Sequence, residues 1–196
     1  EKADEALAGG NTKYTAGAMR FAYDGNADLL PLVRNQDDPR LPHTEFGSYT
    51  AEKFATDLLG FNDGRALSPE QETLISQSGD TMRWLASHDV TFEPIYSRQS
   101  FEKNGKHIFW GGLTLSAENE GVGLFDMELA AVHGLGGTVR YNAAVTGLVY
   151  DDDRVTGVKI GDEVLLADAV ILASGGFEAS EEMRVKYIGA HWDKAK

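Results

Sequence analysis

Two clusters of small residues in this chain have the type and spacing to hold a large ligand. The run Ala169-Val170-Ile171-Leu172-Ala173 is apolar on both faces and leads straight into Ser174-Gly175-Gly176-Phe177. Such a run suits a strand buried in a parallel sheet. Ligands of open α/β sheets bind outside the carboxyl ends of the strands, and two glycines there let backbone approach a bulky group with no Cβ in the way. The second cluster, Gly9-Gly10-Asn11-Thr12 with Thr15-Ala16-Gly17-Ala18, offers small side chains and backbone N–H donors along a pyrophosphate and a flat ring. Ahead of it stands Glu1. In a dinucleotide fold the second strand ends on an acidic residue that bonds a ribose hydroxyl. Each feature also has a plainer reading: a strand-to-loop turn at Ser174–Phe177, and a surface carboxylate at Glu1.

Other residues with chemical potential weigh less. Gly121-Val122-Gly123 imitates a dinucleotide turn, but Asp126 occupies the third glycine position; it is either a Gly-rich approach to a ligand or a plain helix start. Lys106 and His107, just before Trp110-Gly111-Gly112, could face a carboxylate, although a solvated loop is the simpler expectation. His43, His88, His133 and His191 lack metal-ligand spacing. Asp151-Asp152-Asp153 lacks the alternating ligands of a calcium loop and reads as a solvated turn. Trp84 and Phe92 are expected in the core. No metal site is expected, and no catalytic residue is assigned.

Composition narrows the classes. The 196 residues are 42% apolar, enough for a real core, and the formal charge is −13. That charge argues against a sequence-independent grip on nucleic acid or anionic lipid. No apolar run nears the ~20 residues of a membrane span, and no signal peptide is visible. With no cysteine there is no disulfide, thiolate metal site or cysteinyl iron–sulfur ligand in this stretch. A cytoplasmic enzyme fits.

The elements that must position these residues follow from local signals. Tyr23 to Tyr49 is polar and irregular, broken by Pro31, Pro39 and Pro42. Thr50 caps a helix to Leu59, with Phe54, Leu58 and Leu59 on one face, and Asn62-Asp63-Gly64 stops it. Ser68-Pro69-Glu70-Gln71 combines an N-cap, a proline at the first helical position and a capping-box Gln. The helix it starts runs to about Ser87, with Leu74, Ile75, Met82, Leu85 and Ala86 on one face. A third helix spans Gly123 to His133. Short β runs follow at Thr138–Tyr141, Val145–Tyr150, Arg154–Ile160 and Glu163–Leu166, the later ones separated by hairpin loops. Glu181 onward begins as a helix.

Taken together, GGNTKYTAGAM, the helical insert, the β meander and ADAVILASGGFEAS resemble the FAD-binding flavoproteins of the fumarate reductase/succinate dehydrogenase group. FEKNGKHIFWGGLTL and YIGAHWDKAK look most like the tricarballylate dehydrogenase subgroup. The resemblance implies an α/β fold, part of a Rossmann-like FAD/NAD(P)-binding domain with a three-run β meander and an α-helical insert. It divides the chain into an FAD-binding segment (1–22), a mainly helical substrate-side insert (23–137), the meander and return strand (138–180) and the start of a capping segment (181–196).

The same resemblance implies non-covalent FAD as cofactor and hydride transfer between flavin N5 and a C–C bond of a small polycarboxylate. The expected reaction is tricarballylate to cis-aconitate, with electrons leaving to a membrane-linked iron–sulfur partner. Glu1 and Lys2 would lie at the ribose; Gly9, Gly10, Asn11 and Thr12 would line the flavin, with Thr15, Ala16, Gly17 and Ala18 beside it. Val145 would meet adenine through its backbone, and Ala173, Ser174, Gly175 and Gly176 would close over the cofactor. Arg20, Arg98 and Lys106 are candidate cations for the substrate. The resemblance also implies an internal stretch of a longer protein. Its GxGxxG turn would precede Glu1 and its catalytic His and Arg would follow Lys196, so that this stretch alone is inactive and holds FAD weakly. Rival readings are a fumarate reductase, a 3-ketosteroid dehydrogenase-like flavoprotein and a non-catalytic α/β binding module.

Overall fold

Ser68 and Gln71 close the capping box that the sequence predicts. The Ser68 hydroxyl accepts from the Gln71 amide at 3.3 Å, and the Gln71 side chain accepts from the Ser68 amide at 3.0 Å. In the computed structural model, which describes residues 1–195, two compact units form: Asp4–Tyr141, and Glu1–Ala3 with residues 142–195.

In the larger unit the elements run β1 (Ala18–Met19), α1 (Asn26–Leu29), β2 (Thr44–Glu45), α2 (Ala51–Leu59), α3 (Pro69–Ser87), β3 (Phe92–Pro94), α4 (Tyr96–Gln99), β4 (Ser100–Lys103), β5 (Lys106–Phe109), β6 (Leu115–Ala117) and α5 (Glu120–Gly134). Thr50 caps α2 as expected. Two three-stranded sheets lie among the helices, ordered β1-β6-β3 and β2-β5-β4. Their strands are two to four residues long and held by long-range pairs such as Met19↔Leu115 and Phe92↔Ala117.

The core mixes aromatic with aliphatic side chains, and much of it comes from the stretch that reads as polar and irregular. Leu29, Leu32, Leu41, Phe46 and Tyr49 are all buried there, and Tyr23 bridges to Tyr49. Each such side chain contributes roughly 1.5–3 kcal/mol on burial. Phe54, Ile75 and Met82 pack from α2 and α3. Phe92 is buried as expected; Trp84 is 59% exposed and lies against His88 instead. Leu59 and Leu74 also face outward, because the apolar faces of α2 and α3 are narrower than their hydrophobic content suggests.

The smaller unit holds β7 (Val145–Asp151), β8 (Arg154–Ile160), β9 (Glu163–Leu166) and α6 (Glu181–Tyr187). The strands form an antiparallel meander with β8 central, turning at Asp152-Asp153 and Gly161-Asp162. Two expected strands do not form. Thr138–Tyr141 is irregular, and Ala169–Ala173 is irregular and unpaired, with Ile171 at 89% and Leu172 at 73% exposure. A strand apolar on both faces forms only with neighbours to complete its ladder and layers to cover it. Among the described residues no strand pairs with it.

Candidate functional site

Gly9 opens the small-residue segment in the left-handed region, φ 104°, and Gly10 follows at φ 47°. Gly10–Tyr14 then winds as a 3-10 turn, with Asn11 on its exposed side. The Thr15 hydroxyl ties the segment to itself: it donates to the Thr12 carbonyl at 2.9 Å and accepts from the Gly17 amide at 3.1 Å. Ala117 donates to the Gly17 carbonyl at 2.9 Å, which joins the segment to β6.

The first turn of α5 packs directly on this segment. The Gly121 amide donates to the Thr15 carbonyl at 3.1 Å, and a Cβ on Gly121 would stand 2.0 Å from the Thr12 carbonyl oxygen. A Cβ on Gly17 would meet the Glu120 backbone at 2.7 Å. Gly121-Val122-Gly123 therefore lies inside the helix, with glycine required by close backbone approach. Asn119 and Glu120 hold φ of 61° and 55°, which turns the chain sharply into α5. Lys13 lies over the Phe125 ring at 4.7 Å. On the other side of the segment, a Cβ on Gly10 would meet nothing within 4 Å. The result is a strip of backbone backed by the first turn of a helix and open beside Gly10, while a Cβ on Gly9 would meet the Lys13 side chain at 2.6 Å.

In the smaller unit, Glu1 and Val145 are brought close. The Glu1 carbonyl accepts from Ala143 and the Ala3 carbonyl from Asn142, both at 2.9 Å, two and three residues before β7 begins. The Glu1 carboxylate accepts from the Ala3 amide at 2.8 Å, which holds its pKa below the usual carboxylate range. Lys2, between them, is exposed. Ala173, Ser174, Gly175 and Gly176 are all exposed; Gly175 has φ 80° and open space where a Cβ would point.

The candidate cations are already engaged. Arg98 pairs with Glu120 at 2.8 Å, Lys106 pairs with Glu45, and Arg20 lies over the Tyr49 ring at 5.2 Å. Lys106 and His107 belong to β5, not to a loop, and His107 meets the Tyr96 ring edge-on at 5.0 Å. Sequence reasoning missed Tyr23, whose buried hydroxyl reaches the Phe46 carbonyl at 3.0 Å and the Gly111 carbonyl at 3.1 Å. Burial pushes that hydroxyl up to about 12. It also missed Asp38, buried under a bidentate Arg40 that lies over Tyr96 at 4.0 Å. Neither residue sits in a motif: Tyr23 shows itself through long-range packing, and Asp38 through Arg40 two residues on, whose guanidinium lies over Tyr96.

A mixed α/β chain with a glycine-rich backbone strip against the first turn of a helix, open beside Gly10, is the kind of protein that holds a nucleotide-bearing cofactor. The chain belongs to the FAD binding domain family, whose sequence pattern matches residues 9–193, and FAD is accordingly its cofactor. Its fold is similar to that of a flavocytochrome c3 fumarate reductase in the open conformation, with TM-score 0.59 and 22% identity. That likeness covers 90% of this chain and 29% of the other, so the chain spans under a third of the length of that protein. Among the described residues no helix is long and apolar enough to cross a membrane.

Proposed function

We propose that this chain is the cofactor-binding part of a flavin-dependent oxidoreductase that acts on a C–C bond of a small polycarboxylate. The family match over residues 9–193 carries the reading. The open space beside Gly10 and the open Cβ direction at Gly175 fit a flat, bulky cofactor laid against backbone.

In this reading Gly9, Gly10, Asn11 and Thr12 line the flavin, and Thr15, Ala16, Gly17 and Ala18 flank it. The first turn of α5 stiffens that lining through Gly121 and Thr15. Glu1, held ionised by the Ala3 amide, accepts from the ribose hydroxyls, with Lys2 beside it. The Val145 backbone meets adenine, and Ala173–Gly176 closes over the cofactor. Bound FAD supplies hydride exchange at N5. The chain's own residues bind and orient it; the groups that grip substrate carboxylates and move the proton are assigned to no residue here.

The substrate proposed is tricarballylate, oxidised to cis-aconitate, because the FWGGLTL segment resembles that subgroup. Electrons then pass to a membrane-linked iron–sulfur partner. Fumarate reduction is the second reading, favoured by the fold likeness to a fumarate reductase. Steady-state turnover of the full-length enzyme with an artificial electron acceptor separates them. Tricarballylate is expected to outrun succinate, and equal or faster turnover of succinate or a steroid overturns the assignment.

A further inference from the structure

After Ala167, whose amide still donates to the Thr156 carbonyl of β8 at 2.9 Å, residues 169–176 have no ladder to hold them, yet the chain immediately after Gly176 is tightly organised, and Arg184 is at its centre. Arg184 lies midway along α6. Its Nε donates to the Trp192 carbonyl at 2.9 Å, one Nη to the Ala195 carbonyl at 2.9 Å, and the other Nη to the Glu178 carbonyl. Those three carbonyls come from both sides of the helix. One guanidinium therefore pins the chain entering α6 to the chain leaving it. The Arg184 carbonyl adds to the closure by accepting from Ile188 at 2.8 Å and Gly189 at 3.2 Å. Phe177 packs on Tyr187 with ring centroids 5.6 Å apart, and Ser180 caps the helix by accepting from Met183 at 3.3 Å.

The choice of side chain is informative. A guanidinium presents five N–H donors in a rigid planar fork and can serve three carbonyls pointing in from different directions. An ammonium of equal charge is a point and cannot span them. The guanidinium donates to backbone carbonyls, so its effect on a ligand passes through the chain it holds.

We propose that Arg184 is a positioning residue for the cofactor. By gathering the carbonyls of Glu178, Trp192 and Ala195 it sets the direction in which the chain leaves Gly176, and so presents the Ser174–Gly176 backbone to FAD. This rests on the reading above that residues 173–176 meet FAD. A segment with no sheet partner is ordered from its anchored ends; the upstream anchor, the Asp168 carbonyl that accepts from Arg154, lies five residues before Ala173, whereas the downstream anchor at Glu178 lies two residues after Gly176.

The test uses the full-length protein stripped of flavin and titrated with FAD, comparing Arg184→Lys, Arg184→Ala and Gly175→Val with the wild type. Arg184→Lys keeps charge, stem and helix propensity, so it folds. It is expected to raise the FAD dissociation constant about tenfold, as loss of the forked hydrogen bonds implies. The melting temperature of the stripped protein should stay near the wild type's, and turnover at saturating FAD should be unchanged. Added guanidinium should restore FAD affinity to Arg184→Ala but not to Gly175→Val. Weakened FAD in Gly175→Val with wild-type affinity in both Arg184 variants overturns the clamp alone. Unchanged affinity in all three overturns the reading that residues 173–176 meet the cofactor, and the clamp with it. A merely structural role shows itself as a lowered melting temperature with normal FAD affinity in the folded remainder and no rescue, and that result also overturns the proposal.

Discussion

The amide of Gly121 donates to the carbonyl of Thr15 at 3.1 Å, so the first turn of α5 and the small-residue segment ahead of β1 form one rigid piece. More than a hundred positions of sequence separate the two residues. Gly121 can sit there because it has no Cβ: one would stand 2.0 Å from the Thr12 carbonyl oxygen, where neither backbone can give way.

Gly121→Ala is therefore expected to destabilise the protein by about 1–3 kcal/mol, the usual cost of overpacking. Thermal unfolding followed by circular dichroism measures it. An unchanged melting temperature would mean that α5 does not press on Thr12–Gly17.

Ser68→Ala should cost about 1 kcal/mol, the ordinary worth of an N-cap. Chemical denaturation reads it as a lower midpoint at constant slope. A larger loss would show that the box also fixes the turn before α3, where Asn62 exchanges two side-chain hydrogen bonds with Gln71.

That capping box, the Thr50 cap and the three strands of the meander were legible in the sequence because each is set by neighbours a few residues away. The strands from β1 to β6 were not. They are short, lack alternation, and exist through pairs such as Ala18↔Ser116 and Thr44↔His107. The expected strand at Ala169–Ala173 fails for the converse reason: its composition is right, but a fully buried strand is specified by partners. The GGNT and SGGF segments stood out through their glycines. Arg184 did not, since three backbone carbonyls leave no mark on the sequence.

Tyr23→Phe removes the hydroxyl that serves the Phe46 and Gly111 carbonyls and should cost about 1–3 kcal/mol at neutral pH. It should also change the alkaline limb. With its folded pKa raised from 10 to about 12, Tyr23 keeps its proton in the folded state while the unfolded chain loses it. Its contribution is thus complete below pH 10 and is lost as pH rises toward about 12. Stability of the wild type is expected to fall more steeply over that window than that of the variant. Parallel curves would place the Tyr23 hydroxyl in contact with solvent.

Flavin should be held without a covalent bond. The resemblance to the fumarate reductase/succinate dehydrogenase flavoproteins implies that Asn11 stands where covalent members attach FAD through a His, and an amide is no nucleophile toward the flavin methyl; the chain has no cysteine to take its place. Acid denaturation of the yellow full-length protein should pass all its colour through a filter, and colour retained on the chain contradicts this.

The most direct measurement of the central claim is FAD titration of the flavin-stripped full-length protein carrying Gly10→Asn. Asn tolerates the left-handed conformation that Gly10 adopts, at φ 47°. Its Cβ would stand where the structure has no heavy atom within 4 Å. The variant should therefore keep the wild-type melting temperature while its FAD affinity falls by at least about 100-fold, some 2.7 kcal/mol. Wild-type FAD affinity in that variant would mean that the flavin does not lie against Gly9–Thr12.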